Sequence, residues 1–191
     1  MKIFLVIAGA VLAGILAGNI FFRPTSGGFS PAPANSAVNF EARPDVPIRL
    51  IIPSIDVSAD IEAVGLDRDK NMDVPKNVYN AGWYSLGVRP GERGQAVIDG
   101  HFNTPELTPS VFWNLKSLKP NDKIIILDQN GHSYTYIVEK TESIPTADFP
   151  ISKIFGPSNE ARLNLITCAG DFDPLQKTYD QRTVVYSYLL N

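Results

Sequence analysis

The hydrophobic pattern changes character three times along this chain. From Ile3 to Phe22 the residues are almost all apolar, with only Asn19 polar and Lys2 standing in front. Roughly 20 apolar residues at about 1.5 Å rise cover the ~30 Å hydrocarbon core of a bilayer. A cleaved signal peptide, the rival reading, has a shorter apolar region of about 7–15 residues, and no clean small-x-small cleavage site follows. The expectation is an uncleaved anchor over 1–23, with the short basic flank held in the cytoplasm and the bulk exported. From residue 24 to 47 the pattern dissolves into Pro, Ser, Gly, Ala and Asn, the composition of a semi-extended tether.

From Ile48 onward the apolar residues come in short β-branched runs separated by turn chemistry, so 48–191 reads as one folded domain. Ile48–Ile61 makes two strand pieces hinged at Pro53, and Gly65–Pro75 is a surface loop. Asn80–Tyr84 reads as a strand edge with Trp83 turned inward, and Gln95–Asp99 as a strand delivering Gly100-His101. Thr108 as cap, Pro109 at the first helical position and Val111, Leu115 and Leu118 on one face predict a helix that ends before Pro120. Lys123–Leu127 and Ser133–Glu139 flank Asn130-Gly131, a strong hairpin signal. Phe149–Gly156 has room for one helical turn. Arg162–Thr167 and Arg182–Leu190 are the last strands. The sum is a mainly β domain: a closed β-barrel with one or two short helices.

Charge narrows the function. The chain carries 17 basic and 20 acidic residues. Residues 1–47 account for Lys2, Arg23 and Arg43 against Glu41 and Asp45, which leaves 14 basic and 18 acidic residues in the domain. No block of like charge exists, so the electrostatic footprint of a nucleic-acid partner is missing.

The candidate chemistry sits at strand ends. Cys168, the only cysteine, closes the run Leu163-Asn164-Leu165-Ile166-Thr167. Most free cysteines are small buried hydrophobes, but an exported chain with a single cysteine has no internal disulfide to make, and its thiol is either hidden or reactive. A reactive thiol needs a base or a positive charge nearby. His101 leaves a buried-type strand much as Cys168 does, whereas His132 follows the Asn130-Gly131 turn and belongs at an exposed hairpin tip. Arg182 begins the last strand after a polar loop, 171–181, able to fold back beside Cys168; it is the candidate to meet an oxyanion. A zinc site from Cys168, His101 and His132 lacks ligand spacing and a fourth ligand.

Together these residues resemble the sortases, cysteine transpeptidases of Gram-positive cell surfaces. The resemblance spans nearly all of 48–191. It is carried by Arg49-Leu-Ile-Ile-Pro-Ser-Ile-Asp-Val, Ala81-Gly-Trp-Tyr, Pro90-Gly-Glu-Arg-Gly-Gln-Ala-Val-Ile-Asp-Gly-His, Val111-Phe-Trp-Asn-Leu, Leu165-Ile-Thr-Cys-Ala-Gly-Asp-Phe-Asp and Arg182-Thr-Val-Val-Tyr. Within the family it is most similar to class F. The chain departs at Asn164, where the signature Thr-Leu-x-Thr-Cys has threonine, and at Asn103, where class F members often have aspartate. The resemblance implies a sortase β-barrel of about eight strands, with Cys168 as nucleophile, His101 as acid/base and Arg182 at the oxyanion, the backbone of Thr167 and Ala169 assisting. It also implies an LPXTG-type sorting peptide cut between Thr and Gly, an amine acceptor from a cell-wall precursor, attachment to the membrane, and no cofactor. A catalytically dead surface barrel and a cysteine peptidase with water as acceptor are the competing expectations.

Overall fold

The structure, a computed structural model, describes residues 44–176 and 178–190. The expected anchor, and the tether up to residue 43, lie outside the described residues; among the described residues no helix is long and apolar enough to cross a membrane. Eight strands close into a barrel: β1 (Pro47–Ile52), β2 (Val57–Val64), β3 (Ala81–Tyr84), β4 (Gly94–Gly100), β5 (Lys123–Asp128), β6 (Ser133–Pro145), β7 (Ala161–Asp173) and β8 (Thr178–Leu189). Around the barrel the order is β1-β2-β3-β4-β7-β8-β6-β5. The pairs β2–β3 and β4–β7 are parallel, the others antiparallel. β3 is therefore an internal strand and not the edge that its short sequence suggests. Closure removes the edges of the barrel itself, the usual liability of β-sheets.

Strand side chains alternate between faces, and here both faces are used. Leu50, Ile52, Ile98, Ile124, Ile126, Leu163, Leu165 and Val185 fill the barrel. On the outside, Val97, Ile166, Val184 and Tyr186 form a second core with Ile154. Ile154 belongs to the one α-helix, α1 (Ile151–Phe155), which packs on this outer wall. Burial on both faces explains why β7 reads as a continuous run instead of an alternating one: Leu163 through Thr167 are all buried. Asn164 is polar inside that run and earns its place by tethering the helix. Its side-chain amide donates to Gln95 Oε1 and to the Ile154 carbonyl, both at 2.8 Å.

The helix expected over 108–118 does not form. Pro109 bridges to Asn103 and the Thr108 carbonyl accepts from Thr104 N. The Phe112 amide donates to the His101 carbonyl at 3.0 Å, so tertiary partners take the backbone groups that an α-turn needs. What remains is a series of i→i+3 bonds with a 3₁₀ turn at Leu115–Ser117. Its period of three turns Phe112, Leu115 and Leu118 into the barrel, with Val111 partly buried against the same core. The loop at 171–181 also differs from expectation. β7 and β8 run past the barrel as a two-stranded ribbon, pairing Phe172 with Tyr179 and Asp173 with Thr178.

The β5–β6 hairpin is built on a buried carboxylate. Asp128 accepts from Asp45 N, Asn130 N, His132 N, His132 Nδ1 and the Tyr134 hydroxyl. Burial alone would push its carboxyl up, but these hydrogen bonds outweigh it and hold the group at about 2. Its folded-state value lies below the ordinary one of about 3.9. The stabilisation is thus complete above about pH 4 and is lost as pH falls through about 2. Asp128→Ala is expected to lose about 2–4 kcal/mol at neutral pH, since it strands several donors. In urea titrations at successive pH values the gap between wild type and variant should narrow toward pH 2. A gap independent of pH would contradict this account of the hairpin.

Candidate active site

Three adjacent strands, β4, β7 and β8, carry the three candidate residues. β4 and β7 are in parallel register, Asp99 opposite Ile166. Two residues further along the chain stand Cys168, within β7, and His101, the residue after the end of β4. On the other side β7 pairs with β8, and Cys168 lies directly opposite Arg182. Pleat alternation puts Cys168 and Arg182 on one face. Leu165, Ile98 and Val185 point into the barrel, while Ile166, Val97 and Val184 point out, so the even positions of β7 and β8 and the odd positions of β4 face outward. Cys168 and Arg182 thus lie side by side on the outer wall, at the level where the β7–β8 ribbon leaves the barrel, and His101 follows directly on the end of the neighbouring β4. His132 is elsewhere: it lies at the opposite end of β6 from Ile144, the residue opposite Arg182, engaged with Asp128. Among the described residues no group of His, Cys, Asp or Glu is arranged to hold a metal ion.

The end of β4 is fastened from inside. Thr167, whose side chain points inward, donates its hydroxyl to the Gly100 carbonyl at 2.7 Å. Gly100 has no room for more: a Cβ there would lie 2.6 Å from Cδ2 of Phe112. His101 is half-buried, and its Nε2 lies 3.0 Å from the carbonyl of Pro75, in the β2–β3 loop. Beyond it, Phe102 stacks on Trp113 with centroids 4.4 Å apart. A cavity of about 300 Å³ behind Thr167, Gly170 and Thr183 belongs to this inner side of the wall.

Arg182 is half-buried and held by neutral groups. Nη1 donates to the carbonyls of Tyr179 (2.9 Å) and Gln181 (2.8 Å), and Nη2 to Thr178 Oγ1 (3.2 Å). No carboxylate pairs with it among the described residues, so no counter-charge offsets its effect on Cys168. Burial pushes the Cys168 thiol up, Arg182 pulls it down, and Asp99 adds to the upward push. Asp99 itself is driven up to about 8, chiefly by burial; its own backbone amide opposes the shift, and the charge of Asp73 adds to it. Near neutral pH it is therefore a protonated acid. Its Oδ1 is closed to solvent and has no partner among the described residues.

Sequence reasoning missed Tyr179. Its hydroxyl accepts from Asn103 Nδ2 at 2.7 Å, its ring meets Phe102 edge-on and Phe172 at a tilt, and its carbonyl holds Arg182. It ties the exits of β4 and β7 to the start of β8. Pro75 was missed too, as it is a loop residue whose role depends on where the loop lands. Thr167 and Ala169 flank the thiol with side chains on the inner face, and the regular ladder breaks just after Ala169.

A chain so arranged has relatives. The family described as "Sortase domain" matches residues 50–190. Sortase A from Corynebacterium diphtheriae, as a lid mutant, is 24% identical with a TM-score of 0.57, over 80% of this chain and 74% of its own. Sortase A from Listeria monocytogenes is 23% identical with a TM-score of 0.57, over 75% and 86%. Sortase C-1 from Actinomyces oris is 20% identical with a TM-score of 0.59, over 80% and 77%. At these identities the likeness of the solved structures speaks for the fold. No curated protein matches the chain.

The balance at Cys168 is testable without a substrate. Removing the positive neighbour in Arg182→Gln should leave burial and Asp99 unopposed and move the midpoint of iodoacetamide alkylation against pH upward. An unchanged midpoint would show that Arg182 does not act on the thiol.

Proposed function

This chain belongs to the sortase family, and we propose that it is a membrane-anchored cysteine transpeptidase of the class F type. It cuts an LPXTG-like sorting signal between Thr and Gly and passes the acyl group to an amine of a cell-wall precursor. The observation that carries the reading is the Cys168–Arg182 ladder pair, with His101 following the end of β4, the strand on the other side of β7.

The Cys168 thiolate attacks the threonine carbonyl carbon. As the oxygen takes up charge, the Arg182 hydrogens left over from Tyr179, Gln181 and Thr178 donate to it, with the backbone of Thr167 and Ala169 in support. The C–N bond breaks while His101, as imidazolium, gives its proton to the glycine nitrogen, leaving a thioester on Cys168. An incoming amine then attacks the thioester, loses its proton to His101 and releases the thiolate. The class F assignment rests on the sequence resemblance, and the anchor on Ile3–Phe22.

Incubation with a labelled LPXTG peptide, with and without an amine, tests the reading. Transfer to the amine is expected. Cleavage by water alone would make the chain a peptidase, and no cleavage together with an unreactive Cys168 would make it a dead barrel. Cys168→Ala should abolish cleavage with the fold intact. His101→Ala should lose about 2–4 orders of magnitude in turnover, the usual contribution of general acid–base catalysis, and His132→Ala little. Arg182→Lys should fail nearly as badly as Arg182→Ala, because lysine keeps the charge but loses the planar fork; near-native rates would reduce Arg182 to a source of potential. Retention of Met1 or Lys2 in the membrane-bound protein, read by mass, supports the anchor. A soluble product starting near residues 20–35 would show a cleaved signal.

A further inference from the structure

One row below the candidate residues, the outer wall carries an unusual sequence of groups. Glu62 on β2 is opposite Gly82 on β3, which is opposite Asp99 on β4. Gly82 separates two carboxyl groups and leaves a hollow. A Cβ at Gly82 would run into Asp99 Oδ1 and stand 3.0 Å from Cδ of Pro75. The hollow is thus shared by Asp99 Oδ1 and by Pro75, a buried residue in the β2–β3 loop. That loop is fastened on two sides. Glu62 accepts from Lys76 N (2.9 Å), Asn77 N (3.2 Å) and Asn80 Nδ2 (3.0 Å). The first of these does most to hold its carboxyl below the usual range, so Glu62 is an ionised acceptor. On the other side the Val78 carbonyl accepts from the Ser110 hydroxyl and from Val111 N. Between these fastenings and the hollow, the Pro75 carbonyl has little freedom, and it meets Nε2 of His101 at 3.0 Å.

We propose that Glu62 and Pro75 are positioning residues for His101: Glu62 anchors the loop so that the Pro75 carbonyl takes the Nε2 hydrogen, which assigns proton exchange to Nδ1. A carbonyl only accepts, so the nitrogen facing it carries the hydrogen in both ring states. The other nitrogen is then the one that loses a proton to the departing amine and regains it from the incoming one. The orienting partner on a histidine decides which nitrogen does the chemistry, and here that partner is a backbone group from a loop with no strand of its own. Gly82 is part of the device because a Cβ there would clash with Asp99 Oδ1 and crowd the Pro75 ring against it. The part concerning proton exchange rests on the transpeptidase reading; the clamp itself does not.

Nitrogen-15 spectra of the histidine-labelled protein, assigned by the signals lost in His101→Gln, test the clamp without turnover. The neutral His101 ring should show a protonated Nε2 whose hydrogen exchanges slowly with water. In Glu62→Ala, and from the other side in Gly82→Ala, that protection should be lost; where either variant fails to fold, Glu62→Gln, which keeps one acceptor oxygen, decides. With peptide and amine, Glu62→Ala should lose about 10–100-fold in kcat with KM little changed, the scale of a misplaced catalytic group. The rate of Cys168 alkylation should stay the same. An unprotonated Nε2 in the wild type, or a protected Nε2 hydrogen that survives Glu62→Ala, overturns the proposal. A protected, Glu62-dependent hydrogen in a protein that transfers nothing would uphold the clamp and remove the transpeptidase reading instead.

Discussion

The register of β7 between its two neighbours is the constraint on which the site depends. In a strand of period two, a slip of one residue turns every side chain to the other face. Cys168 would then enter the barrel and Thr167 would face out. Two features oppose such a slip. Leu163 and Leu165 fit the inner core while Ile166 fits the outer one, so both faces of β7 specify the same register. The Thr167 hydroxyl on the Gly100 carbonyl then locks the last parallel step against β4. Asn164 adds a third fixture by binding the helical segment that covers the outer wall. The departure from the family signature at that position leaves a polar group in a structural task away from the thiol.

The same wall sets the electrostatics. Burial raises the Cys168 thiol, and the nearest correction is the Arg182 charge across the ladder. That charge is kept effective because its partners are carbonyls and hydroxyls; a carboxylate partner would have cancelled it. Asp99, one row away, does little harm while it is protonated, and burial keeps it so up to about 8. As it ionises, its charge works against the thiolate, so the two rows of the wall are coupled through one buried acid.

Much of this fold was legible in the sequence because the barrel strands are short, β-branched and separated by Gly, Pro and Asn-Gly turns. The positions of Cys168 and His101 at the ends of apolar runs were legible for the same reason. What stayed hidden has physical causes. The β7–β8 ribbon beyond Cys168 is open to solvent, so Asp171, Asp173, Asp180 and Gln181 show no apolar alternation and read as a loop. Cys168 is therefore inside β7 and Arg182 inside β8, each a few residues from its end. The 108–118 segment has helical composition, but bonds to His101, Thr104 and Asn103 capture its backbone first. Tyr179 and Pro75 act through long-range contacts that no local pattern encodes.

The central claim is that Cys168 carries the acyl group between two substrates. Mass spectrometry of the intact protein, after a sorting-signal peptide is added without an amine and the mixture is quenched in acid, measures this most directly. An added mass equal to the peptide up to its threonine is expected, located on the fragment containing Cys168 and discharged when an amine is supplied. Cleavage of the peptide with no adduct, or an adduct on any other residue, would contradict it.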